Sequence, residues 1–164
     1  MPPLESLWTH VVLFVPSLEG GGAEQVMRRF ALALTQQGVS VTLLTLYPPR
    51  STHKIDSRLD VISLNVTRAL FAPVKLWRFL RRVRPCVLVP TVEQAVVVST
   101  LVRYFLPGVT IIPRCSLAHR YTEPGRSPLL SFMMRSILTL CYRLADHVIA
   151  PSRTLQHELM RQAG

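Results

Sequence analysis

Val11-Val12-Leu13-Phe14-Val15, then Pro16-Ser17-Leu18-Glu19-Gly20-Gly21-Gly22, then Ala23-Glu24-Gln25-Val26-Met27-Arg28-Arg29-Phe30-Ala31-Leu32-Ala33-Leu34, reads as strand, turn and helix. A short apolar run rich in β-branched residues predicts a strand buried on both faces. Val26, Phe30 and Leu34, with Met27 and Ala31 beside them, recur at helical spacing. The glycines therefore fall in a strand-to-helix turn. Glycine there lets backbone approach a ligand closely, and the unpaired amides of a helix start favour negative charge. Gly20, Gly21 and Gly22 are thus expected to cradle phosphate, the alternative being a turn that needs glycine only for its backbone angles.

A dinucleotide fingerprint fails at two points. Gln25 stands where its third glycine belongs, and the second apolar run, Val41 to Leu46, passes into Tyr47-Pro48 with no acidic residue to hold a ribose. A nucleoside triphosphate loop fails too, since no Gly-Lys-Ser/Thr follows. Basic and aromatic residues do not interleave as nucleic-acid binding requires, so no nucleic-acid partner is expected.

Outward from this opening, strand and helix signals alternate. Gly38 ends the first helix. Val61 to Leu64 reads as a short edge strand, Cys86 to Val89 as a fourth and Val109 to Ile112 as a fifth. Ala145 to Ala150 reads as a sixth, with its lead-in, before a helix that Ser152 caps. Val92 to Leu106 has the length and apolar character of a helix packed on the sheet, and Leu129 to Leu144, rich in leucine, isoleucine and methionine, reads as a core helix. The pattern predicts an α/β domain: a Rossmann-like parallel sheet of about six strands with helices on both faces. In such sheets ligands gather at the carboxyl ends of strands, which singles out Arg114 and His119 after the fifth strand.

The chain has 164 residues, about half apolar, enough for one domain with a sizeable core. Its formal net charge of +10 suits polyanions in general, whether anionic lipid headgroups, phosphorylated substrates or nucleic acid, and charge alone does not choose among them. Five of the basic residues fall between Lys75 and Arg84. On a helix, Lys75, Arg78, Arg81 and Arg82 form either a solvated face or a surface for anionic lipid with Trp77 and Phe79 as anchors. Cys86, Cys115 and Cys141 have no metal-ligand spacing and read as buried, reduced thiols, so no metal is expected and a cytoplasmic location is. The longest apolar stretch, Ala95 to Leu106, falls short of the ~20 residues a spanning helix needs, leaving a soluble domain or one peripheral at the inner face of the plasma membrane.

The opening run, with Gly38 and Val41-Thr42-Leu43-Leu44-Thr45, resembles the start of retaining glycosyltransferases of family 4, which read there as apolar strand, small-residue loop, Gly-Gly-Ala-Glu, then Leu-Ala-x-x-Leu. Arg81-Arg82-Val83-Arg84-Pro85 before a buried strand, and Ala145-Asp146-His147-Val148-Ile149-Ala150-Pro151-Ser152 before a last helix, resemble two further landmarks of the same N-terminal lobe. The resemblance implies one lobe of a two-lobed GT-B enzyme. This lobe, residues 1–164, would hold a glycan or lipid-linked acceptor, and a C-terminal lobe not contained in these residues would grip a nucleotide-sugar as substrate, with no resident cofactor. The alternative is a half-enzyme or non-catalytic module that docks a separate partner chain. Cys86 stands where these proteins usually carry an acid after Pro85, and Arg114-Cys115-Ser116 stand where a histidine is common. No catalytic residue is carried across. Glu93, Arg114 and His119 are expected to line the acceptor side, and the chain alone is expected not to turn over.

Overall fold

The computed structural model describes residues 10–19, 21–48, 56–68, 71–115 and 128–163. Among them, β1 (Val11–Val15), β2 (Val41–Thr45), β3 (Asp60–Ser63), β4 (Cys86–Pro90) and β5 (Val109–Ile111) form one sheet in the order β3-β2-β1-β4-β5. Every pairing is parallel. The helices are α1 (Gly22–Gln36), α2 (Ala72–Val83), α3 (Glu93–Arg103), α4 (Pro128–Arg143) and α5 (Arg153–Ala163).

Burial follows from the alternation of side chains along a strand. Val12, Phe14, Leu44 and Leu88 point to one face and pack with Leu76 and Leu80 of α2 and Ala95 and Val102 of α3. Leu13, Val15, Leu43, Val87 and Val89 point to the other and meet Met27 and Ala31 of α1. Central strands covered on both faces favour apolar residues at nearly every position, which is why β1, β2 and β4 read as nearly continuous apolar runs, with Thr42 and Thr45 of β2 buried among them. β3, at the edge, is half-exposed, as expected. Ser99 and Thr100, buried in α3, satisfy their hydroxyls on carbonyls one turn back, at 2.7 and 2.9 Å. Gly38 takes the left-handed angle (φ 81°) expected after α1.

Two expectations are corrected. The sheet has five strands among the described residues, not six: Ala145 to Ala150 touches it through a single bridge, Ile149 opposite Arg114. The reason is local. Asp146 donates its own N–H to the Ile111 carbonyl (3.1 Å) and accepts the Ile111 N–H on its carboxylate (2.8 Å), so a side chain takes the place of the next ladder bond. Pro151 then has no N–H to continue with. The second correction concerns α4: of its described side chains only Leu138 and Cys141 are buried, while Leu129, Phe132, Met133, Ile137 and Leu140 are exposed. Periodicity could not distinguish this, because the helix is apolar on both sides. Among the described residues no helix is long and apolar enough to cross a membrane.

Candidate functional site

From β1 the chain crosses to β2 on one side, whereas β4 lies on the other, so strand order reverses between β1 and β4. The crevice beyond the carboxyl ends of these strands is where such sheets bind ligands. The turn before α1 and the Thr91-Val92-Glu93 turn before α3 border it, and Arg114 stands one strand further on.

At the first turn, Gly21 is the N-cap of α1, in an extended conformation (φ −69°, ψ 152°) open to any residue. A Cβ at Gly22 would meet nothing within 4 Å, and one at Gly21 only ordinary contact with Glu24 at 3.7 Å. Neither backbone angles nor packing therefore requires glycine at 21 or 22. Glu24, in the third position of the helix, reaches back: its carboxylate accepts the Gly21 N–H at 3.1 Å and the Ser17 hydroxyl at 2.7 Å. Arg28 adds a bond to the Leu18 carbonyl at 2.6 Å, and Leu18 is buried beneath the loop. The Gly21 amide is thus occupied from within, and the N–H groups left open among the described residues at this helix start are those of Gly22 and Ala23. Gly20 lies outside the described residues.

At the second turn, the Thr91 amide donates to the Phe14 carbonyl (2.9 Å), prolonging the β1–β4 ladder by one residue. Continuing that register places Thr91 beside Val15, on the α1 side. Its side chain is fully buried, and its hydroxyl has no partner among the described residues, a costly state for a polar atom. Val92 follows with φ 70° and ψ 145°, a region almost closed to β-branched residues, and opens α3. This contorted pair sets the position of Glu93, which is half-buried on the first turn of α3.

Arg114 bridges Thr91 on one side and Ile149 on the other, with its amide on the Pro90 carbonyl at 2.9 Å. Its half-buried guanidinium makes no hydrogen bond among the described residues. Behind it, burial, reinforced by Cys115 and the Glu93 carboxylate, pushes the Tyr142 phenol far up and keeps it neutral. Burial alone raises Cys86 to about 11, so that thiol is inert. Cys115 and Cys141 are buried and unbridged, like Cys86.

Of the expected site residues, Gly21, Gly22, Glu93 and Arg114 each follow the carboxyl end of a strand; His119 lies outside the described residues. The basic positions of α2 lie elsewhere, on the helix layer. Arg78, Arg81 and Arg82 are exposed, Lys75 donates to the Asn65 carbonyl at 2.5 Å, and Trp77 packs against the core with Arg81 over its ring at 5.1 Å. Sequence reading missed Thr91, Val92 and Tyr142. The first two carry no signal, because strain and an orphaned hydroxyl exist only in coordinates.

A strand, an acid-latched glycine turn, a first helix and a basic residue after the fifth strand thus share one edge. A model of Glycosyltransferase Family 4 matches residues 20–164. The chain belongs to glycosyltransferase family 4. Comparison with curated proteins finds no match. Membership assigns the Rossmann-like sheet to a glycosyltransferase-related domain.

Proposed function

We propose that this domain is the acceptor-side lobe of a retaining glycosyltransferase, which moves a sugar from a nucleotide-sugar to a glycan or lipid-linked acceptor. The observation that carries the reading is the pair of glycines at 21 and 22, which the fold does not need, bordering the crevice between β1 and β4. Glycine where neither angle nor packing asks for it leaves open space beside the backbone that a ligand can occupy. The open amides of Gly22 and Ala23 supply donors for a phosphate, with the start of α1 adding its dipole. Arg114 and Glu93 offer a cation and an acceptor for sugar hydroxyls, and the exposed arginines of α2 face an anionic membrane surface. A donor-gripping lobe, on the same polypeptide or on a partner chain, completes the cleft. This assigns the reaction to the assembled cleft and only binding to the lobe alone.

The test is a titration of the isotopically labelled chain with inorganic pyrophosphate, read by amide NMR. Saturable shifts at Gly22 and Ala23 are expected. Shifts confined to the α2 arginines, with Gly22 and Ala23 unmoved, would overturn the reading.

A further inference from the structure

α4 is apolar on two sides. Its inner side, Leu138 and Cys141, meets Val96 of α3. Its outer side carries Leu129, Phe132, Met133 and Leu140, exposed by 70%, 68%, 51% and 56%. Exposed apolar surface on this scale marks an interaction site rather than ordinary surface scatter.

The helix runs alongside α3. Met134 and Ile137 share a groove with Gln94 and Val97 of α3, Cys141 meets Val96, and Arg103 binds the Leu144 carbonyl. These pairings run the same way along both helices, and α3 starts at Glu93. Residues 128–133 thus precede the part of α4 that pairs with α3, and the Ser131 hydroxyl among them is buried. Leu129, Phe132 and Met133 carry the exposed apolar strip toward the carboxyl edge of the sheet.

Charge identifies the occupant. Arg135 and Arg143, with Ser136 and Thr139, line an open groove along one flank of this strip. The helix layer continues to the exposed Arg78, Arg81 and Arg82, and neither α2 nor α4 contains an acidic residue. Behind Ile137 the apolar surface runs into a groove of about 270 Å³ lined by Leu46, Val66, Val97 and Met134. An exposed apolar strip with a cationic flank fits a fluid hydrocarbon layer topped by phosphates.

We propose that the outer face of α4 seats in the headgroup–acyl boundary of an anionic membrane, with Phe132 and Leu140 among the acyl chains and Arg135 at the phosphates. The proposal deepens the membrane-facing part of the function above and rests on it for orientation. With α4 in the membrane plane, the crevice lies at the lipid surface, within reach of an acceptor still anchored there.

The test needs neither donor nor acceptor. The chain is sedimented with phosphatidylglycerol/phosphatidylcholine vesicles, alone and as Phe132→Asp/Leu140→Asp. A Phe132→Trp variant is titrated with vesicles of bromine-labelled acyl chains, using wild type to subtract Trp8 and Trp77. The double variant is expected to bind about tenfold or more weakly, since burial of two large apolar side chains is lost. The Phe132→Trp emission is expected to shift to the blue and be quenched. Unchanged sedimentation of a folded double variant overturns the proposal, as does an unshifted, unquenched Trp at 132. So does a dimer that the double substitution dissociates without altering vesicle binding, which assigns the face to a second copy. If the double variant does not fold, the Trp measurement decides alone. Pyrophosphate shifts report on the crevice separately, so either reading fails without the other.

Discussion

The Glu24 carboxylate accepts the Gly21 amide at 3.1 Å, so the turn that opens toward the crevice is latched from within by an acid of its own helix. With Ser17 on the same carboxylate at 2.7 Å, one side chain fixes both ends of the loop. Donors for an outside anion then begin at Gly22.

Gly22→Pro removes one of those donors with little cost to the fold. Proline is favoured at the first helical position, and the extended Gly21 before it has the conformation that a following proline demands. Stability by urea unfolding is expected to stay within about 1 kcal/mol of wild type. Pyrophosphate affinity should fall by about tenfold, the loss of one hydrogen bond to a charged group. Glu24→Ala is expected to behave oppositely: it costs about 1 kcal/mol of stability through the lost latch but leaves the Gly22 and Ala23 amides in place.

Val92 predicts a gain. At φ 70° its side chain sits in a region suited to glycine, a strain of order 1–3 kcal/mol, whereas glycine there costs about 1 kcal/mol in unfolded-state entropy. Val92→Gly is therefore expected to leave the melting temperature unchanged or raise it, unlike most Val→Gly substitutions. A fall of several degrees would mean that Val92 packing outweighs the strain.

The sheet was legible because burial on both faces leaves little freedom in composition: Val11 to Val15 and Cys86 to Val89 are apolar throughout, and Val41 to Leu46 departs from that only at the buried Thr42 and Thr45. The missing sixth strand was not, because the Asp146 side chain imitates a ladder bond in a way no period reports. The crevice was placed by chain order alone, which put Gly21, Gly22, Glu93 and Arg114 on one edge. What the edge is made of at Thr91 and Val92 escaped, since a buried hydroxyl without a partner looks in sequence like any threonine after a strand. The two-sidedness of α4 escaped for a related reason: an apolar helix does not say which of its sides the core takes.

At the opposite edge, His10 predicts a pH dependence. Its Nε2 donates to the Thr42 hydroxyl at 2.9 Å, which donates onward to Asp60 at 2.6 Å, and its Nδ1 accepts from Ser40 at 2.8 Å. Burial lowers its pKa below 6.5, with Asp60 opposing in part. The unfolded chain then binds more protons than the folded one as pH falls past 6.5, so this contribution is present above that value and lost as pH falls through the lower folded pKa. Melting temperature is expected to rise between about pH 5 and 7, and His10→Gln to flatten that slope. An equal slope in both proteins would remove His10 from the account.

Asp146 gives the sharpest stability prediction, because it holds three elements at once. It accepts the Ile111 amide of β5 at 2.8 Å and the Arg103 guanidinium of α3 at 2.6 Å, while Arg103 also binds the Leu144 carbonyl at the end of α4. The ion pair is partly exposed and so contributes at most about 1 kcal/mol. The amide bond matters more, since its loss leaves a part-buried N–H without a partner, at about 1–3 kcal/mol. Asp146→Ala should accordingly cost more than Arg103→Ala in urea unfolding. Asp146→Asn, which keeps an acceptor for Ile111 and loses only charge, should fall near Arg103→Ala. Were Asp146→Asn as damaging as Asp146→Ala, the charge pair and not the captured amide would be what ties β5 to the helix layer.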